Sequence, residues 1–261
     1  MGSVISLNLQ KGGVSKTTSS VAIAYLLSEE HKKKILFIDF DSQGNSTYMF
    51  TQQSPYDFRG RTVLEAIKEE KPKDFIIPIS DTLDLLPANA FLATLPSFLY
   101  TSYAKYGRKA YEALRDLIKD VKEEYDVVII DTPPNLGDLT TNALFASDFA
   151  IIPLESSMLA FIEVDPQLEL LEEVRKVGNE NLKLLGILVN VIDKRRRKDN
   201  KEFFEALEEY YPGLSFKTVV YRTADASRLA KQNLYLNPKQ TKKALEEYQP
   251  LIKELLNHVG I

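Results

Sequence analysis

The sequence contains no cysteine and only two histidines. Disulfides, a thiol nucleophile and thiolate-held iron–sulfur clusters are excluded together, and too little imidazole remains for a histidine-rich metal site. Long apolar runs are missing as well, since no stretch approaches the ~18 residues of a membrane span. Positive charge is in deficit, giving a net charge of −4. This argues against binding of polyanions by overall attraction, although a local basic patch can still act. The first residues, Met1-Gly2-Ser3-Val4-Ile5, lack the basic start and apolar run of a secretion signal, which points to the cytoplasm. Gly2 and Ser6 fit a myristoylation pattern only loosely and Gly2 leads straight into an apolar run, so lipidation is not expected.

Chemistry must then come from carboxylates, lysines and hydroxyls. Hydrophobic residues make up 44% and charged residues 27% of the chain, the balance of a folded globular protein. No interior linker, repeat or low-complexity tract divides the 261 residues, which predicts one domain over residues 1–261. Short apolar runs at 4–9, 35–40, 127–131, 149–154, 184–191 and 214–220 read as strands. Helical spacing is read at 17–28, 62–70, 159–177, 201–210 and 226–232, with a long amphipathic helix at 103–124 and an edge pair at 75–79 and 83–87. Alternation of this kind predicts an α/β fold, a single doubly wound, mostly parallel sheet flanked by helices.

Between the first strand and helix lies Lys11-Gly12-Gly13-Val14-Ser15-Lys16-Thr17-Thr18. A phosphate-binding loop needs converging backbone N–H groups, a helix N-terminus behind them and a lysine that reaches the terminal phosphates. These eight residues can supply all three, with Lys16 as the candidate for the β- and γ-phosphates and the Thr17 hydroxyl as a candidate Mg²⁺ ligand. The ordinary pattern G-x-x-x-x-G-K-[ST] is nevertheless not met, because Gln10 and Ser15 stand where its glycines belong. Hydrolysis also needs carboxylates where strands open into the crevice. Asp39 and Asp41 follow the second strand, and Asp131 ends Val127–Ile130 ahead of Thr132-Pro133-Pro134. An Asp pair after a strand also serves as a turn or helix cap, and that alternative stands on the residues alone.

The eight-residue loop resembles the deviant Walker A motif, K-G-G-x-x-K-[ST], of the ParA and MinD class of P-loop ATPases. Asp39-Phe40-Asp41-Ser42-Gln43-Gly44-Asn45 resembles the second motif of that class, D-x-D-P-Q-G-N, with Ser42 in place of proline. The Asp131 stretch resembles its D-x-P-P switch. The resemblance implies ATP and Mg²⁺ as cofactors and a homodimer formed around two ATP molecules, in which Lys11 reaches the partner's phosphates. It implies that Asp41 activates the attacking water and that Asp39 and Asp131 act around Mg²⁺ with Thr17, the carboxylates through water. The stretch 133–137 would sense the γ-phosphate, and Asn190 would contact adenine. Relatives have glycine where Ser15 stands, a difference that matters if that residue needs a positive φ.

Lys194-Arg195-Arg196-Arg197-Lys198 is the densest positive run, and Arg222, Arg228 and Lys231 form a second group. A solvated helix face would look the same. ParA-type partition ATPases carry a surface for nonspecific double-stranded DNA in this region, and the resemblance implies a nucleoid-associated protein stimulated by a centromere-binding, ParB-like partner. The rival within the class is a MinD-like positioning ATPase held on a membrane by a basic C-terminal helix. Residues 251–259 carry an apolar stripe with little basic charge opposite it, which favours a packed helix and no membrane contact. An ATP-dependent ligase on the same scaffold is a further alternative, whereas an iron–sulfur protein is excluded by the missing cysteines.

Overall fold

The computed structural model describes residues 2–10, 15–190, 192–193, 195–221, 223, 229 and 234–260. Its centre is a seven-stranded sheet built from β1 (Ser3–Leu7), β2 (Ile35–Asp39), β3 (Ile77–Ser80), β4 (Leu83–Leu86), β5 (Val127–Asp131), β6 (Phe149–Glu155) and β7 (Lys183–Asn190). The spatial order is β3-β4-β2-β5-β1-β6-β7. All pairings are parallel except β3 with β4, so the expected edge hairpin is present and the doubly wound sheet is mostly parallel.

Helices cover both faces. They are α1 (Lys16–Glu29), α2 (Asn45–Thr51), α3 (Val63–Glu69), α4 (Leu95–Phe98), α5 (Ala113–Ile118), α6 (Asp138–Ala146), α7 (Met158–Phe161), α8 (Val164–Val177), α9 (Arg197–Tyr210), α10 (Pro238–Ala244) and α11 (Gln249–Val259). Successive strand side chains point to opposite faces. Ile5, Leu7, Ile35, Phe37, Val127 and Ile129 accordingly pack with α1 and α11, while Val4, Leu36, Ile38, Val128 and Ile130 pack with α3, α5 and α6. Each such fully buried apolar side chain contributes roughly 1.5–3 kcal/mol. Helix α1 is apolar on nearly every side from Val21 to Leu27, and every one of those residues is buried. Helix α3 starts where Thr62 predicts it should: Leu64 N–H donates to the Thr62 hydroxyl, and Thr62 N–H donates to Glu65 Oε2 at 3.1 Å.

Three sequence expectations need correction. The long helix expected at 103–124 is broken into short pieces, with a wide turn at Leu99–Tyr103 and Gly107 in the left-handed region at φ 74°. The apolar spacing there is real, because Tyr103, Leu114, Leu117 and Val121 are all buried, yet the glycine turn interrupts the backbone ladder between them. The strand expected at 214–220 makes only isolated parallel bridges to the β7 side, Ile187 with Ser215 and Ile192 with Tyr221. Glu254 of α11 anchors this segment by accepting the N–H groups of Lys217 and Thr218 and the Thr218 hydroxyl. Helices α2, α4, α6 and α10 were not foreseen, and the helix expected at 226–232 lies outside the described residues apart from Leu229.

Candidate active site

Parallel register places the chemistry. Asp39 and Asp131 end adjacent strands and are paired residues across them, and Leu7 at the end of β1 is level with Asp131. The β1–α1 connection emerges beside these two carboxylates, at the C-terminal edge where α/β sheets bind ligands. Lys11, Gly12, Gly13 and Val14 lie outside the described residues. The described part of the loop begins at Ser15, which sits at φ 58° and ψ 28°, in the left-handed region. For a residue with a Cβ this conformation costs about 1 kcal/mol, which is why glycine suits the position.

Ser15 occupies the N-cap position of α1 but makes no side-chain cap, and the first turn of the helix carries no acidic residue. The positive end of a 14-residue helix is therefore left available for an external anion. Lys16 is the first residue of that helix, is 6% exposed, and donates to the Leu9 carbonyl at 3.3 Å. Burial lowers its pKa, opposed by the carboxylates of Asp131 and Asp41. A phosphate would add counter-charge beside this ammonium.

The carboxylates differ in what already holds them. Asp39 is fully buried; its Oδ2 accepts the Thr47 N–H at 2.8 Å and the Thr47 hydroxyl at 2.7 Å, while its Oδ1 accepts the Asp41 N–H at 3.2 Å. Thr47 N–H belongs to the first turn of α2, so Asp39 also caps that helix. Asp131 is fully buried and accepts the Ser46 hydroxyl on Oδ2 at 2.5 Å; its Oδ1 meets no donor at full hydrogen-bonding geometry among the described residues, although the Thr17 hydroxyl is near enough to favour the charged carboxylate. A buried carboxylate oxygen without a donor is costly, and it fits a cation or its water. Asp41 lies at the mouth, 6% exposed, with Oδ1 accepting the Gln43 N–H at 3.0 Å.

Burial, reinforced by the Asp131 charge, pushes Asp39 up to about 7 despite the Thr47 and Asp41 donors. Asp131 is raised by burial too, opposed by Lys16, Ser46 and Thr17, and Asp41 is raised by burial against the Gln43 N–H and Lys16. A carboxylate whose folded value lies above its unfolded one binds its proton more tightly in the folded state. The stabilisation is complete below about pH 4 and is lost as pH rises through about 7. Denaturant unfolding of the nucleotide-free protein should therefore show stability falling by at most roughly 4 kcal/mol between about pH 4 and pH 8. A flat profile would mean that the carboxylates are solvated. Lys16, whose pKa is lowered, acts in the opposite sense at alkaline pH.

The turn that carries Asp41 closes on Gly44, at φ 65°, whose N–H donates to the Asp41 carbonyl at 3.0 Å. A Cβ there would lie 2.7 Å from Pro55 Cβ and 2.9 Å from the Ala88 carbonyl. Gly44→Ala is expected to destabilise the protein by about 2–4 kcal/mol in chemical denaturation, from backbone strain together with overpacking.

A family described as an AAA domain matches residues 2–184. A ParA family protein of Chlamydia pneumoniae is 31% identical over 257 residues, covering 97% of this chain and 96% of the relative. The chromosome-partitioning ATPase Soj of Thermus thermophilus is 36% identical over 191 residues, 73% of this chain and 70% of the relative. The chain belongs to the ParA family of partition ATPases. Among solved structures, cobyrinic acid a,c-diamide synthase from Mycobacterium smegmatis, with bound ADP and magnesium, superposes with a TM-score of 0.82 at 29% identity, covering 100% of this chain and 96% of that one.

Other residues singled out in this ParA-family sequence fall differently. Asn190 does end β7, but its side chain is fully buried and Nδ2 donates to Ser19 Oγ at 2.7 Å. Arg195 pairs with Asp193 at 2.7 Å and Arg196 with Asp199 at 2.7 Å, and Lys198 lies 3.9 Å from Glu202. Between residues 193 and 209, six cations (194–198 and 201) face six carboxylates (193, 199, 202, 205, 208 and 209), so the basic run is locally balanced. Arg197 begins α9. Lys194, Arg222, Arg228 and Lys231 lie outside the described residues. Sequence reading missed Ser46 and Thr47, whose hydroxyls hold Asp131 and Asp39; their place in the first turn after the Asp39–Asn45 stretch was the available signal. No described helix is long and apolar enough to cross a membrane, and α11 buries Leu251, Ile252 and Leu255 in the core.

Proposed function

We propose that this chain is an ATP-hydrolysing switch for DNA partition. It dimerises with ATP sandwiched between subunits, binds double-stranded DNA without sequence preference in that state, and releases it after hydrolysis stimulated by a centromere-binding, ParB-like protein. The observation that carries the reading is the uncapped N-terminus of α1, with buried Lys16 at its start and Asp39 and Asp131 in register beside it.

In this reading residues 11–18 enclose the phosphates, with Lys16 neutralising the β- and γ-phosphates and Lys11 acting across the dimer. Thr17 and Asp131, with Asp39 behind them, would hold magnesium, which when bound supplies positive charge against the phosphates. Asp41, fixed by the Gln43 N–H, orients and deprotonates the attacking water. Asp39 also keeps α2 and the Asp41 turn in place, and Asn190 supports the nucleotide from below α1. The chain acts as one domain, in the cytoplasm on the nucleoid, without a membrane.

DNA contact falls to Arg195, Arg196, Arg197 and Lys198, together with Arg222, Arg228 and Lys231. Asp199, the partner of Arg196, is an exposed carboxylate, and such an ion pair contributes about 0–1 kcal/mol, so a phosphate can displace it; Asp193 is half-buried and holds Arg195 with two of its nitrogens, so that arginine is less easily released. Filter binding to random-sequence duplex DNA across a salt series tests this. Binding should require ATP, and Arg195→Ala with Arg196→Ala should shallow the logarithmic salt slope by about 0.9 for each phosphate no longer neutralised. Binding that ignores ATP would overturn the switch. The likeness to a diamide synthase supports one alternative, turnover that depends on a small carboxylic acid and ignores DNA.

A further inference from the structure

The phosphate loop ends on Ser15, a residue held in a backbone region that side chains disfavour, and the structure shows what holds it. Ser19, one turn into α1, donates its hydroxyl hydrogen to the Ser15 carbonyl at 2.9 Å, alongside the Ser19 N–H to the same oxygen at 2.8 Å. A serine hydroxyl has one hydrogen and two lone pairs. With its hydrogen on a carbonyl that can only accept, Ser19 Oγ must itself be the acceptor in its other contacts. Those are Asn190 Nδ2 at 2.7 Å and the Tyr248 hydroxyl at 3.1 Å, which fixes the phenol as donor. Burial pushes Tyr248 up to about 12, so it keeps that proton at any physiological pH.

Every hydrogen-bonding capacity of Ser19 is thereby used, and its hydroxyl cannot rotate away from Ser15 without leaving buried donors unpaired. The three groups come from distant parts of the chain: α1, the last residue of β7, and the short turn at Glu246–Tyr248 that precedes α11. Ser19, Asn190 and Tyr248 are all essentially inaccessible to solvent, at 0–2% exposure.

We infer that Ser19, backed by Asn190 and Tyr248, is a positioning unit that holds Ser15 in the left-handed conformation from which the first turn of α1 presents its N–H groups. The inference rests on reading residues 11–18 as the ATP site. It assigns Asn190 a task beneath the loop, and it links the C-terminal helical segment, through Tyr248, to nucleotide affinity. Glycine reaches the left-handed region without help. A chain with serine at this place needs the support, and a chain with glycine does not.

That dependence gives the test. ATP affinity is measured by isothermal titration for wild type, Ser19→Ala, Ser19→Thr, Tyr248→Phe, Ser15→Gly and the pair Ser15→Gly with Ser19→Ala, and melting temperature is recorded for each. Ser19→Ala and Tyr248→Phe should weaken ATP binding, the first by about tenfold, while Ser19→Thr, which keeps the hydroxyl, stays near wild type. In the double variant affinity should return to within about twofold of wild type while the melting temperature stays depressed, because Asn190 and Tyr248 still lack their acceptor. A double variant that binds as weakly as Ser19→Ala, or a Ser19→Ala that binds as wild type, overturns the inference. Wild type that does not bind ATP at all overturns the nucleotide reading beneath it.

Discussion

Replacing Lys16 with alanine is expected to abolish ATP-driven dimerisation and to lower turnover by at least about a hundredfold, the drop that follows removal of one preorganised charge-stabilising group. The lysine is nearly buried, its hydrogen bond to the Leu9 carbonyl is long, and burial already disfavours its charge. Such a group is poised to gain from an arriving phosphate and contributes little to folding. Melting temperature should accordingly change little, while titration with ATP and sedimentation with and without ATP should both show the nucleotide response gone. Persistent dimerisation with ATP would remove Lys16 from the phosphate site.

Asp41→Ala should separate what Lys16→Ala removes together. ATP binding, dimerisation and DNA binding should persist, and turnover should fall by roughly 10²–10⁴, the usual contribution of a positioned general base. The physical ground is the contrast among the three carboxylates. Asp39 and Asp131 are sealed and bound to Thr47 and Ser46, whereas Asp41 sits at the mouth with the Gln43 N–H on its Oδ1. Burial raises its pKa above the ordinary carboxylate value, opposed by the Gln43 N–H and Lys16, which makes it a better proton acceptor than a solvated carboxylate. The variant should stay on DNA after ATP is withdrawn, measured as a slowed dissociation rate. Normal turnover would take water activation away from Asp41.

The sheet was legible because its signal is local. Runs such as Val127–Ile130 state a strand buried on both faces, and a strand, a glycine turn and a helix in succession place Lys16 and Asp131 at one edge. The 103–124 region misled for the same reason, since apolar spacing survives a turn at Gly107 that the pattern does not register. Asp39 was open to two readings, metal or cap; the cap is present, made to a threonine eight residues on, and the magnesium role stays a separate proposal. The partners of Asn190 could not be read at all. Ser19 lies 171 positions away in sequence, and only the packing of α1 against β7 and the C-terminal turn brings them together.

Helix α9 has a consequence beyond its ion pairs. Its start carries Arg196, Arg197 and Lys198 against one acidic residue, Asp199, and its last turn carries Glu208 and Glu209, with no basic residue there. A helix macrodipole favours the reverse arrangement, by about 0.3–1 kcal/mol per charge. The helix is therefore frustrated along its own axis in the free protein. If a polyanion lay across its first turn it would relieve that conflict as well as add contacts.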